Sequence, residues 1–199
     1  MNWQGAIVGC DQILLEHMIA IDGYLNQAKL EAALKAIVGS ASWKGCELTV
    51  PGTRRRWDMA YTINGRTTVV EFDGDLHYRD SMKIKIDLEK DKAAERQGYA
   101  VVRFPYWLQL TEESLTHFFA LKAKIKQDFP HGFITTKVFP ASFCELGVQR
   151  FQRELDTLPQ SMKNAVIHSL KERVNEHGVE YVLPSRLKRV LQQCHQCGQ

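Results

Sequence analysis

Two acids, Asp58 and Glu71, flank the dipeptide Asn64-Gly65 at a spacing that could carry chemistry. Asn-Gly between two β-prone runs is a strong hairpin signal, because a two-residue type I′ turn needs positive φ at both positions. With Ile63 opposite Arg66, the register counted outward from the turn brings Asp58 directly across from Glu71, and Arg56 across from Asp73. Side chains alternate along a strand, so Asp73 shares a face with Glu71, while Trp57, Met59, Tyr61, Ile63, Val70 and Phe72 form the other, apolar face. Ala60 and Val69 accompany the acids, so their face is partly covered too.

Opposed like charges destabilise a sheet, and partial burial adds to the cost unless the pKa values rise or a cation sits between them. A divalent metal resolves the conflict. Carboxylate oxygens are the hard ligands that Mg2+ or Mn2+ takes, usually with waters and a substrate phosphate completing the shell. Such a centre activates water and neutralises the charge that builds during phosphodiester hydrolysis. The residues admit a plainer reading as well, in which Arg54, Arg55 and Arg56 and neighbouring lysines pair with the acids on a solvated face. A bulge that slips the register by one would also undo the opposition.

Periodicity supplies the elements that must hold these residues. Helical spacing predicts helices over Asp11–Ile21 and Leu25–Val38, and β-rich runs predict strands over Glu47–Val50, Trp57–Ile63, Arg66–Asp73 and Tyr99–Phe104. A charged helix, Ser81–Gln97, precedes the last strand and is closed by Gly98, and another starts at Thr111 in a Thr-Glu-Glu-Ser turn. The result is an α/β fold, a mixed sheet with helices on its faces. The texture changes near Gln127: Pro130, Gly132 and Pro140 punctuate short β-prone pieces, and two helical stretches follow Pro159. Residues 1–127 read as a core and 128–199 as a mainly helical accessory region.

The 199 residues are 44% hydrophobic with a formal charge of +3, which excludes disordered and collagen-like classes and leaves nucleic-acid binding to local charge. The first residues lack the basic start of a signal peptide, and no run approaches about 18 apolar residues, so a cytoplasmic protein without membrane contact is expected. Five scattered cysteines suit a reducing compartment, and Cys194 and Cys197, around His195, lack the second pair that a structural zinc site needs.

Asp58 on one strand and Glu71-Phe72-Asp73 on the next, in an αβββαβ order, resemble the PD-(D/E)XK, or restriction-endonuclease-like, superfamily. The runs VVEFDGDLHYRD and IDLEKDKAAERQGYAVVRF are similar to the branch that includes the very-short-patch mismatch repair endonuclease. The match spans about Glu16 to Phe104. It implies that Asp58 and Glu71 are metal ligands, and Asp73, counted with them, stands where the superfamily usually has a lysine. Lys90, on the sheet-facing side of its helix, is the candidate replacement cation, with a surface lysine as the other reading. His77 suits a general base, or a loop histidine that orders the turn.

Asp87 and Asp91 share the helix face of Lys90 and could orient it or His77, or serve as surface ion-pair partners. Glu16 is either an acid near the metal or an exposed helix glutamate. Arg54, Arg55 and Arg56, beside the acids, are candidates for phosphate contact, and Arg103 for contact with a phosphate or an acid. Lys122, Lys124, Lys126 and the Arg186–Arg189 cluster are further basic candidates.

The expected function is a Mg2+- or Mn2+-dependent DNA endonuclease in restriction or in mismatch or damage repair. A homodimer, or a protein partner bound through residues 128–199, is compatible with it. The alternative is a catalytically inactive nuclease fold that binds nucleic acid or serves as a scaffold; a small-substrate phosphohydrolase lacks a glycine-rich phosphate cradle.

Overall fold

The structure is a computed structural model that describes residues 18–45, 48–134 and 138–188. Its centre is the anticipated hairpin. Asn64 and Gly65 adopt φ of 51° and 74°, and the turn joins β2 (Met59–Ile63) to β3 (Arg66–Asp73) in the register Met59↔Val70 to Ile63↔Arg66. β4 (Ala100–Pro105) lies parallel to β3 with Arg103 beside Glu71, which gives a mixed three-stranded sheet in the order β2-β3-β4.

Helices flank this sheet. α1 (Gln27–Val38) starts where the Asn26 side chain accepts the Lys29 N–H, and it buries Leu30, Ala33, Leu34 and Ile37. A short α2 (Leu76–Arg79) and α3 (Ser81–Arg96) connect β3 to β4, with Asp80 capping α3. α4 (Glu112–Phe119) begins with a capping box between Thr111 and Ser114. Beyond it come β5 (Ile125–Gln127), α5 (Glu145–Thr157), α6 (Gln160–His177) and α7 (Val179–Val182). Among the described residues no helix is long and apolar enough to cross a membrane.

Two apolar clusters sandwich the sheet. The larger joins α1 and Met59, Tyr61, Val70 and Phe104 to Phe133, Phe151, Leu155, Val166 and Leu170, so the chain beyond Gln127 packs into the same core as the sheet. The smaller, Val50, Trp57, Ala60, Val69 and Ala94, lies on the acid face beneath α3.

Several elements differ from expectation. Ile19–Ile21, expected to end a helix, forms β1 and pairs in parallel with β5, since Ile-Ala-Ile before Asp22-Gly23 favours an extended chain. The rest of that expected helix, with Glu16, lies outside the described residues, as do Cys194, His195, Cys197 and Arg189. Of the expected strand Glu47–Val50, only an isolated bridge, Thr49↔Arg56, is present among described residues. No described residue of 128–134 or 138–140 is in a strand. Trp57 belongs to the acid-face cluster: the chain bends at Asp58, one residue before the β2 ladder begins, so alternation does not carry through it.

Candidate functional site

The acid face gathers at the end of β3, under α3. α3 has an unusual buried side: Ile84, Asp87, Lys90 and Ala94. Two of these carry charge. Burying a charge costs several kcal/mol unless it is paired, and each one here is paired.

Glu71 is the first pairing point. It is buried, and its Oε1 accepts the Asp58 N–H at 3.2 Å and Lys90 Nζ at 2.5 Å. Lys90 Nζ also donates to the Arg56 carbonyl at 2.9 Å. The half-buried Asp58 carboxylate accepts the Phe72 N–H through Oδ2 at 2.9 Å, which ties it to the strand that carries Glu71. Burial raises the pKa of Glu71, and the negative Asp58 raises it further, while Lys90 draws it back down. Asp58 and Glu71 are therefore neighbours, as the hairpin register requires.

Asp73 is held differently. It has no exposed surface, and it does not meet Arg56, its expected opposite, because the ladder ends before it. Its Oδ1 receives Arg103 Nη1 at 2.9 Å and lies 2.9 Å from His77 Nδ1, and its Oδ2 is paired with Arg150 Nη2. Burial works against ionisation, but the His77 hydrogen bond and the two guanidiniums hold this carboxyl well below the usual carboxylate range.

His77 Nδ1 is also 2.6 Å from Asp87 Oδ2. Burial lowers the imidazole pKa, yet the hydrogen bonds and charges of Asp73 and Asp87 raise it to about 9, which makes His77 a cation at neutral pH in this arrangement. Arg103 reaches across to α3, with Nε and Nη2 on the Asp91 carboxylate and Nη2 on the Asp87 carbonyl. Four acids, Asp73, Asp87, Asp91 and Glu154, thus face Arg103, Arg150 and His77.

Asp73, His77 and Asp87 offer ligand atoms within 4.8 Å of one another, close enough for a metal. The donor set argues against one there. Arg150 reaches Asp73 Oδ2 and Asp87 Oδ2, and Arg103 sits on Asp73 Oδ1, so guanidinium groups already fill the space between these carboxylates. Asp58 and Glu71 offer the hard oxygen donors that suit Mg2+ or Mn2+, and no guanidinium among the described residues sits on either.

The other candidates divide by exposure. Arg54, Arg55 and Arg56 lie in an exposed loop next to Asp58, and among the described residues only Arg55 has a side-chain partner, Glu89 at 3.4 Å. Arg103 is spent on acids. Lys122, Lys124 and Lys126 are exposed, Arg186 pairs with Glu145, and Lys188 pairs with Glu180.

Three residues of this cluster were not anticipated: Arg150, Glu154 and Tyr78. Arg150 and Glu154 lie on α5, whose Val148, Phe151 and Leu155 recur at helical spacing, so the helix could have been read from the chain; its contact with Asp73 could not.

Comparison with family models, with curated proteins and with solved structures finds no match for this chain. The fold is therefore described by its own geometry, as an α/β protein with a mixed sheet flanked by helices.

Proposed function

We propose that the protein is a Mg2+- or Mn2+-dependent DNA endonuclease built on a restriction-endonuclease-like core. The observation that carries this reading is the meeting of Asp58, Glu71 and Lys90: two adjacent carboxylates at a strand end, with an ammonium on the buried one. Asp58 and Glu71 would hold the cation, and a divalent ion bound there would lower the pKa of a water and offset charge on the phosphate. Lys90, fixed by Glu71 and the Arg56 carbonyl, keeps a positive charge beside the acids, in the role the superfamily usually gives to the lysine two residues after the glutamate.

Asp73 and His77 then have a supporting role. Enclosed by Arg103 and Arg150, they lock the end of β3 to α2 and α3 instead of handling water. Exposed Arg54 and Arg56 supply positive charge where a phosphodiester backbone must approach two acids.

The enclosure of Asp73 also favours a second reading, a nuclease fold that binds nucleic acid without cutting it. A Mn2+ titration of wild-type protein and Asp58→Ala, with labelled DNA and RNA strands incubated in parallel, separates the two. Metal binding that is lost in Asp58→Ala, together with cut DNA, supports the nuclease. Intact strands with retained nucleic-acid binding support the binding module.

A further inference from the structure

Helix α5 meets the turn that bears His77 backbone to backbone. The Cys144 N–H donates to the Tyr78 carbonyl at 3.0 Å, and a Cβ on Gly147 would overlap that same carbonyl. Glycine at 147 is what lets the helix approach so closely.

Arg150, one turn further along α5, then reaches three elements at once. Its Nη1 donates to the His77 carbonyl at 3.2 Å and to Asp87 Oδ2 at 3.0 Å, and its Nη2 pairs with Asp73 Oδ2. These contacts join α2, α3 and β3 at one side chain. The guanidinium is itself braced: Nε donates to Glu154 Oε1 at 2.7 Å, the ring of Tyr78 lies 5.0 Å from its carbon, and Tyr78 OH donates to Glu154 Oε2 at 2.6 Å. Its side chain is only 8% exposed, which removes it from any direct contact with a polymer substrate.

We propose that Arg150 is a positioning residue of the phosphodiester-cleaving site, and that α5 belongs to that site and is not an appendage to it. The proposal rests on the nuclease reading above. Asp87 and Lys90 share the buried side of α3, so a clamp on Asp87 sets where Lys90 meets Glu71. A planar fork of five N–H donors can bridge two carboxylates and a carbonyl, whereas a lysine ammonium cannot span them.

The test compares wild-type protein with Arg150→Ala and Arg150→Lys. Cleavage kinetics on plasmid DNA are measured alongside amide hydrogen exchange over residues 76–91. In Arg150→Ala, kcat should fall on the order of 100-fold while KM changes by less than about threefold, since misplaced groups lose turnover and not affinity. Added guanidinium at millimolar concentration should restore part of the rate, and Arg150→Lys should not.

Wild-type kcat in Arg150→Ala, or a rise in KM alone, overturns the proposal. Should Arg150→Ala fail to fold, Arg150→Lys keeps the charge and loses the fork that spans Asp73, Asp87 and the His77 carbonyl. Faster exchange over residues 76–80 with a matching loss of kcat is then expected, and unchanged kcat overturns the claim. If wild-type protein cuts nothing, the nuclease reading falls by itself, and exchange decides whether Arg150 holds the turn: rates in Arg150→Ala equal to wild type refute it.

Discussion

Lys90 Nζ lies 2.5 Å from Glu71 Oε1, so an ammonium carried by α3 neutralises the buried acid of β3. Removing one partner of a buried pair leaves the other unpaired at a cost of about 3–5 kcal/mol. Lys90→Met should therefore lower stability by about that amount in urea denaturation and abolish DNA cleavage. The double variant Glu71→Gln/Lys90→Met should regain most of the stability and none of the cleavage. Full stability in Lys90→Met alone would mean that the pair contributes little.

Arg103 and the 54–56 loop should separate in a salt titration of DNA binding. Each phosphate contact contributes roughly one unit to the slope of log affinity against log salt. Arg54→Ala and Arg56→Ala should each flatten the slope, because both side chains are exposed beside Asp58. Arg103→Met should leave the slope alone and destabilise the fold, because Asp91 loses its guanidinium partner and Asp73 keeps only Arg150 and His77 of its three cations. A flattened slope in Arg103→Met would return that residue to the DNA-contacting set.

Two histidines give stability opposite pH dependences. His131 is buried and accepts the Gln109 N–H at Nδ1, and burial lowers its pKa from 6.5 to about 4, against a small opposing pull from Glu113. Between those values the unfolded chain holds more protons, so the contribution is complete above pH 6.5 and is lost as pH falls toward 4, by roughly 3 kcal/mol in all. His131→Asn, which keeps an acceptor and cannot titrate, should flatten urea stability across that window; an unchanged slope contradicts it.

His77 runs the other way. Its folded pKa of about 9 lies above the unfolded 6.5, so its contribution is full below pH 6.5 and is lost as pH rises through 9. His77→Gln should remove the decline in stability between those values, as read from denaturation midpoints. A decline of the same size in that variant would assign it to another group.

The legible part of this molecule was the part with local rules. Asn64-Gly65 fixes its own turn, and the turn fixes Asp58 beside Glu71. Lys90 could be placed on the sheet side of α3 because helical spacing is local too. The fate of Asp73 was not legible: a carboxylate at that position could take a metal or a guanidinium, and the choice depends on Arg150, 77 residues away in the chain. Trp57 falls on the acid face because it lies two residues beyond Met59, where the ladder and its alternation stop. Ile19–Ile21 departs from the helix expected there because a three-residue strand is defined by its partner β5, far along the chain.

The most direct measurement is incubation of supercoiled plasmid with wild-type protein and with Asp58→Ala, each in Mg2+ and in Mn2+. Nicked or linear DNA from the wild type, none from a folded Asp58→Ala, and none from either without metal is the predicted result. Intact plasmid from the wild type in both metals, or equal cutting by Asp58→Ala, would contradict the assignment of phosphodiester hydrolysis to Asp58, Glu71 and Lys90.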